Sequence, residues 1–201
     1  MKELNYFGEE EMKMQSNFKV WRTRVTKPIC KLLDTLHCTP NGVSLAGFLL
    51  LGGFITYVNA APITAGLFLL AYTLVDGIDG ALARYQKKTS NAGALLDMIL
   101  DHSGMVLVIV VLAAANLINA IGAIIYVYLY TLLVIFIIIR NSINKPIKKA
   151  VRSKYIVYGA YGLWALFQIN IITPVIILFS ALMIPPIITS FTTIYNHLGE
   201  K

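Results

Sequence analysis

Four aspartates, Asp76, Asp79, Asp97 and Asp101, lie in the stretch DGIDGALARYQKKTSNAGALLDMILD, with long apolar runs on either side. On a helix, Asp76 and Asp79 share a face with Gly80 and Ala83 beside them, and Arg84 follows one turn beyond Gly80. Gly93, Asp97 and Asp101 are spaced four apart and line one stripe of a second helix. The short basic turn between the two helices makes them antiparallel neighbours, so the four carboxylates are expected to converge at similar depth. Carboxylates this close to hydrocarbon cannot all stay ionised unaided, because burying charge is costly and like charges repel. Arg84 is the one basic residue within the stripe, which leaves one or two divalent cations as the natural compensation. Hard carboxylate oxygens suit Mg²⁺, Mn²⁺ or Ca²⁺, and the absence of His or Cys from the stripe argues against zinc. His102 follows Asp101 but points about 100° away from it on a helix, which suits packing or a polar contact better than ligation.

The same aspartates would also serve as a proton relay or sodium site of a transporter, or as partners for lysines in the turn. Neither role accounts for Gly80, Ala83 and Gly93. Small side chains beside carboxylates leave room for a flat or bulky ligand, and an arginine one turn away suits a phosphate. Metal, anion and space together point to a diphosphate-containing substrate.

The elements that must position these residues are membrane helices. The chain of 201 residues is 57% hydrophobic and only 13% charged, far from the average of soluble domains. Apolar runs at Val43–Val58, Ile63–Val75, Met105–Ala115, Ile118–Ile139, Ile156–Phe167 and Ile171–Ile194 each form all or most of a bilayer crossing. The second run must continue through Asp76 and Asp79 to about Arg84, and the third must begin near Ser90, to reach the roughly 20 residues a crossing needs. The fold expected is therefore all-α and integral to the membrane, with six transmembrane helices in residues 39–196 and a tail at 197–201. All 17 Lys and Arg residues fall before Pro40, in Arg84–Lys88, in Arg140–Lys154, or at Lys201. With six spans these places share one side, so both termini and the polar site are expected at the cytoplasmic face, in the cell membrane if the source is prokaryotic. The net charge of +7 is accounted for by that face and its attraction to anionic lipid headgroups, and nucleic acid is not required as a partner.

Residues 1–15 read as a flexible polar start. In residues 16–38, Phe18, Trp21, Val25, Ile29, Leu32 and Leu36 recur at three- and four-residue steps among basic residues, the pattern of an interfacial amphipathic helix that Pro28 would kink or divide. Thr39-Pro40-Asn41 reads as the start of the first span. Cys30 and Cys38 match no metal or redox spacing and read as structural.

The aspartate stretch resembles the signature of the CDP-alcohol phosphotransferase family, D-x-x-D-G-x-x-A-R, eight residues, then G-x-x-x-D-x-x-x-D. All eight fixed positions are matched, by Asp76, Asp79, Gly80, Ala83, Arg84, Gly93, Asp97 and Asp101. The Thr39–Asn41 turn and Ser44 are similar to the family's first-span entry. The resemblance implies a transferase of phospholipid biosynthesis in which Asp76, Asp79, Asp97 and Asp101 hold two ions, Mg²⁺ or Mn²⁺. It also implies that Asp101 is the general base, and that Asp76, Gly80, Ala83, Arg84, Ser90 and Gly93 lie along the nucleotide and its phosphates. For Ser90, capping of the next helix is an equal reading. Leu95–His102 is more similar to the phosphoinositol-type members, with His102 where Arg is usual. The implied reaction moves a phosphatidyl-type group from CDP-diacylglycerol, or an ether-lipid analogue, to a polyol acceptor such as inositol phosphate or glycerol phosphate. Serine as acceptor and CDP-choline or CDP-ethanolamine as donor are the alternatives within the family. Arg140, which ends an apolar run, is the candidate contact for the acceptor. Small-residue helix surfaces and the resemblance together favour a homodimer.

Overall fold

In the computed structural model the described residues are 26–147 and 153–199. Helix α1 covers 26–35. It is followed by α2 (Pro40–Tyr57), α3 (Pro62–Tyr85), α4 (Asn91–Ala114), α5 (Ala120–Ser142), α6 (Lys154–Phe167) and α7 (Ile172–Gly199). Among the described residues there is no strand. Helices α2, α3, α4, α5 and α7 are long and apolar enough to cross a membrane. The sixth expected span is α6, which has 14 described residues, about 21 Å at 1.5 Å per residue. The residues that precede it, 148–152, lie outside the described residues, as do residues 1–15 and the first part of the amphipathic segment. α7 continues through Gly199, past the point where a tail was expected to begin.

Local chemistry sets the helix boundaries. Thr39 Oγ1 accepts from Gly42 N at 3.1 Å and Pro40 takes the first helical position, as the Thr-Pro-Asn turn led one to expect. Asn119 Oδ1 accepts from Ile121 N and Gly122 N, capping α5 without a charge. At the other ends, His37, Lys87, Asn116 and Asn144 each adopt a left-handed conformation with φ between 54° and 57°. Each is bracketed by the paired backbone bonds of a Schellman turn, such as Lys88 N to Ala83 O and Lys87 N to Arg84 O. Four helices therefore stop the same way, without glycine in the left-handed position.

The described residues divide into two compact units, with the boundary between Val111 and Leu112 of α4. In the first unit α2 buries Gly47, Leu51 and Phe54, and α3 buries Ala65, Leu69 and Tyr72. Glycine lets these helices approach: a Cβ on Gly47 would lie 2.8 Å from Val75 Cγ1, and one on Gly104 of α4 would collide with the Tyr72 hydroxyl. α1 lies on the end of α3, where Cys30 joins Ala81 and Leu82 in a buried cluster flanked by Leu33, Cys38 and Val43. The stripe read as amphipathic, Ile29, Leu32 and Leu36, stays exposed on the outer side of α1. In the second unit α7 buries Ile172, Ile176, Phe179, Met183, Ile187 and Ser190 at helical spacing. Its internal prolines, Pro185 and Pro186, are followed by Thr189 and Ser190, whose hydroxyls donate to the two proline carbonyls at 2.9 and 2.6 Å.

Candidate active site

The stripe that buries Ala65, Leu69 and Tyr72 on α3 continues through Asp76 to Asp79, so an aspartate occupies a packing position. Asp79 is 4% exposed. Its Oδ2 accepts from Ser44 Oγ of α2 at 2.5 Å, and its Oδ1 accepts from Gly80 N at 2.5 Å. The carboxylate is thereby fixed from two sides. Asp76 is half-buried one turn earlier.

Gly80 leaves space beside Asp79: a Cβ there would first meet Arg84 Nη1, at 3.5 Å. The guanidinium is therefore folded back along the aspartate face of α3 rather than extended past the helix end. Ala83 is half-buried in the same turn. Arg84, Lys87 and Lys88 place positive charge at the negative end of the α3 dipole.

On α4, Ser90 Oγ accepts from Gly93 N at 3.0 Å. Ser90 thus performs the capping role, with its hydroxyl proton still available to a ligand. Asn41 of α2 also reaches this point, its Oδ1 being 3.6 Å from where a Gly93 Cβ would stand. The positive ends of α2 and α4 consequently lie side by side, an arrangement favourable to an anion. Asp97 is exposed and Asp101 half-buried further along α4.

Among the described residues, no three Asp, Glu, His or Cys side chains stand close enough together to hold a metal ion. The four aspartates are thus carried on the two expected helices without forming a finished ligand shell. Their chemistry still fits a hard divalent cation, with oxygen donors only and Asp79 already oriented by a hydrogen bond of the kind that positions metal ligands.

Arg140 belongs to the second unit and is half-buried at the end of α5. Its Nε donates to Lys145 O at 2.6 Å, while Nη2 reaches Pro146 O and Nη1 reaches Ser190 Oγ, both at 3.4 Å. The guanidinium is thus directed at its own loop and α7.

In the sequence Ser44 stands out only as part of the entry turn. Its bond to Asp79, 35 positions away, had no local signal. Gln86 was not singled out at all. It donates to Asp34 and to the Cys38 carbonyl.

Apolar helices, a carboxylate buried among them and a signature shared between α3 and α4 are the features of a membrane-embedded transferase. The family model for CDP-alcohol phosphatidyltransferase matches residues 37–194, and the chain belongs to that family. It is 38% identical over 86 residues to an archaetidylinositol phosphate synthase of Pyrococcus horikoshii, a match covering 40% of this chain and 45% of that protein. It is 37% identical over 66 residues to a bifunctional IPC transferase and DIPP synthase of Aquifex aeolicus, covering 32% of this chain and 15% of that one. The matches thus span less than half the length of these curated relatives. In fold it is similar to the Mycobacterium tuberculosis phosphatidylinositol phosphate synthase crystallised with CDP-DAG, with a TM-score of 0.73 at 18% identity over 86% of this chain and 94% of that one. The same synthase crystallised with manganese and citrate gives a TM-score of 0.68 at 16% identity over 85% and 88%.

Proposed function

We propose that the chain transfers a phosphatidyl-type group from a CDP-linked lipid, CDP-diacylglycerol or an ether-lipid analogue, to inositol phosphate, releasing CMP. The observation that carries this reading is the complete eight-residue signature on α3 and α4, within the matched region. The choice of inositol phosphate over glycerol phosphate rests on the archaetidylinositol phosphate and phosphatidylinositol phosphate synthases among the similar proteins.

Asp76, Asp79, Asp97 and Asp101 hold two divalent ions, Mg²⁺ or Mn²⁺, in line with the manganese bound by the similar synthase. When bound, the ions neutralise the diphosphate and stabilise the leaving phosphate. The residues of the chain do the rest. Ser44 keeps the Asp79 carboxylate turned into the site. Gly80, Ala83 and Gly93 leave room for the cytidine, while Arg84 and the Ser90 hydroxyl contact phosphate oxygens. Asp101 accepts the proton of the acceptor hydroxyl as that oxygen bonds to the lipid-bearing phosphorus. The phosphorus–oxygen bond to the CMP phosphate breaks, and CMP leaves with that electron pair. Arg140, which has five N–H donors, uses those left over from its loop for the acceptor's phosphate. In this reading the enzyme is a six-span homodimer, with α6 as the remaining span and with the site and both termini in the cytoplasm.

Purified protein in detergent, given CDP-diacylglycerol with inositol phosphate, glycerol phosphate or serine in parallel, is expected to release CMP fastest with inositol phosphate. Release should stop on addition of EDTA and return with Mg²⁺ or Mn²⁺. Ion-coupled solute uptake without CMP formation would instead establish the transporter reading of the same aspartates.

A further inference from the structure

We infer that Gln86 is a positioning residue that ties the interfacial helix α1 to the active-site end of α3, so that the seating of α1 sets donor affinity. Gln86 is the C-cap residue that follows α3, two positions beyond Arg84. Its Nε2 donates to Asp34 Oδ1 of α1 at 2.9 Å and to Cys38 O of the connector to α2, also at 2.9 Å. Both acceptors lack a proton to give, so the amide is held in one orientation and the carboxamide acts as a two-point clasp. Its Oε1 is buried with no hydrogen-bond partner. Leaving such an acceptor unpaired costs free energy, and the orientation is kept because the alternative would set oxygen against two oxygens.

The contacts around the clasp run into the site from both sides. Four residues after Cys38, Gly42 N donates to the Thr39 cap, and Ser44 in the next turn holds Asp79. On α3 the clasped turn carries Arg84, whose guanidinium lies along Gly80. The start of α2 is therefore pinned to α3 at two levels, Cys38 to Gln86 and Ser44 to Asp79. Beneath the clasp, Cys30 of α1 is 2% exposed against Ala81 and Leu82. The outer face of α1, with Leu32 61% and Leu36 62% exposed, is left for the membrane surface. A shift of α1 on that surface is transmitted through Gln86 to the turn that carries the phosphate-binding arginine.

The kinetic part of this inference rests on the transferase reading, and the structural part does not. Cys30 and Cys38 are the only thiols, so in a Cys38→Ser background, which keeps the Cys38 main-chain carbonyl, maleimide labelling of Cys30 in proteoliposomes reports separation of α1 from α3. Gln86→Ala is expected to raise the labelling rate about fivefold, and the KM for the CDP-lipid donor about fivefold with kcat within about twofold. Asp34→Ala, at an exposed position, removes one acceptor and gives about half the effect in each readout, whereas Asp34→Asn keeps an acceptor oxygen and matches the unaltered protein. The double variant Asp34→Ala/Gln86→Ala is no worse than Gln86→Ala. Unchanged labelling in both single alanine variants would overturn the clasp. Raised labelling with an unchanged donor KM, or with a loss of kcat instead, would overturn its positioning role. No CMP release by the unaltered protein would overturn the transferase reading, and the clasp would then stand or fall on labelling alone.

Discussion

α3 and α5 end alike and use their endings differently. Both stop in a Schellman turn around a left-handed residue, Lys87 or Asn144, and both carry an arginine in the last turn, Arg84 or Arg140. Arg140 gives three of its nitrogens to two carbonyls of its own loop and to a serine of α7. Arg84 folds back over a glycine, along a face that carries two aspartates. The difference comes from what surrounds each guanidinium. A loop that presents carbonyls turns an arginine into a cap, whereas a glycine one turn earlier lets it lie back along the helix. The helix ending alone does not decide whether the arginine caps a loop or lies along a carboxylate-bearing face.

The sharpest way to break this comparison is at the far end of the aspartate series. Asp101→Asn should lower CMP release by about 10²- to 10⁴-fold while retaining part of the CDP-donor binding measured by calorimetry; turnover at the unaltered rate would remove Asp101 from the proton transfer. A smaller effect separates the two regions. Ser44→Ala, which frees Asp79, should weaken Mn²⁺ binding by about tenfold in a spectroscopic titration, with Ser44→Thr close to the unaltered protein. Arg140→Ala should leave Mn²⁺ binding unchanged, raise the acceptor KM, and lower stability by about 1–3 kcal/mol through the carbonyls it leaves unpaired. If Arg140→Ala raises the donor KM instead, the division between the two arginines fails. The smallest effect concerns the shared ending. His37→Gly, at φ 57°, should stabilise the protein by about 1 kcal/mol, since only glycine adopts that conformation without strain; a fall in melting temperature would show that the His37 side chain contributes more than its backbone strain removes.

Much of this was legible in the sequence because the signals were local. The aspartate spacing places the two carboxylate helices, Thr39-Pro40 marks the start of α2, and Ser90 three residues before Gly93 marks the cap of α4. What could not be read were pairings across long separations, Ser44 with Asp79 and Gln86 with Asp34, because hydrogen bonds between distant segments leave no periodic trace. The orientation of α1 was half legible. Its apolar stripe could be seen, yet whether Ile29, Leu32 and Leu36 face protein or lipid could not, since both environments are apolar. The inner contact instead falls to Cys30 and Leu33. Likewise the apolar run at Ile156–Phe167 reads as a span, although the described helix there is too short to meet the requirement by itself. Helix spacing also leads one to expect the four carboxylates to converge, but spacing fixes which residues share a stripe and not how far two stripes stand apart, and among the described residues no three such side chains are close enough to hold an ion.

The collision of any side chain at Gly104 with Tyr72 has a consequence for how such an enzyme can diverge. Gly104 lies seven residues beyond Asp97, two turns along nearly the same stripe of α4. The glycine acts as a key that fixes the rotational phase of the helix, and with it the direction of the aspartates. A slip of one residue would turn the whole stripe by about 100° and cost the close fit at Tyr72. The stripe of α4 that carries Gly104 is therefore fixed in register by its fit to Tyr72, whereas side chains on the other faces of α4 can vary without rotating the carboxylates.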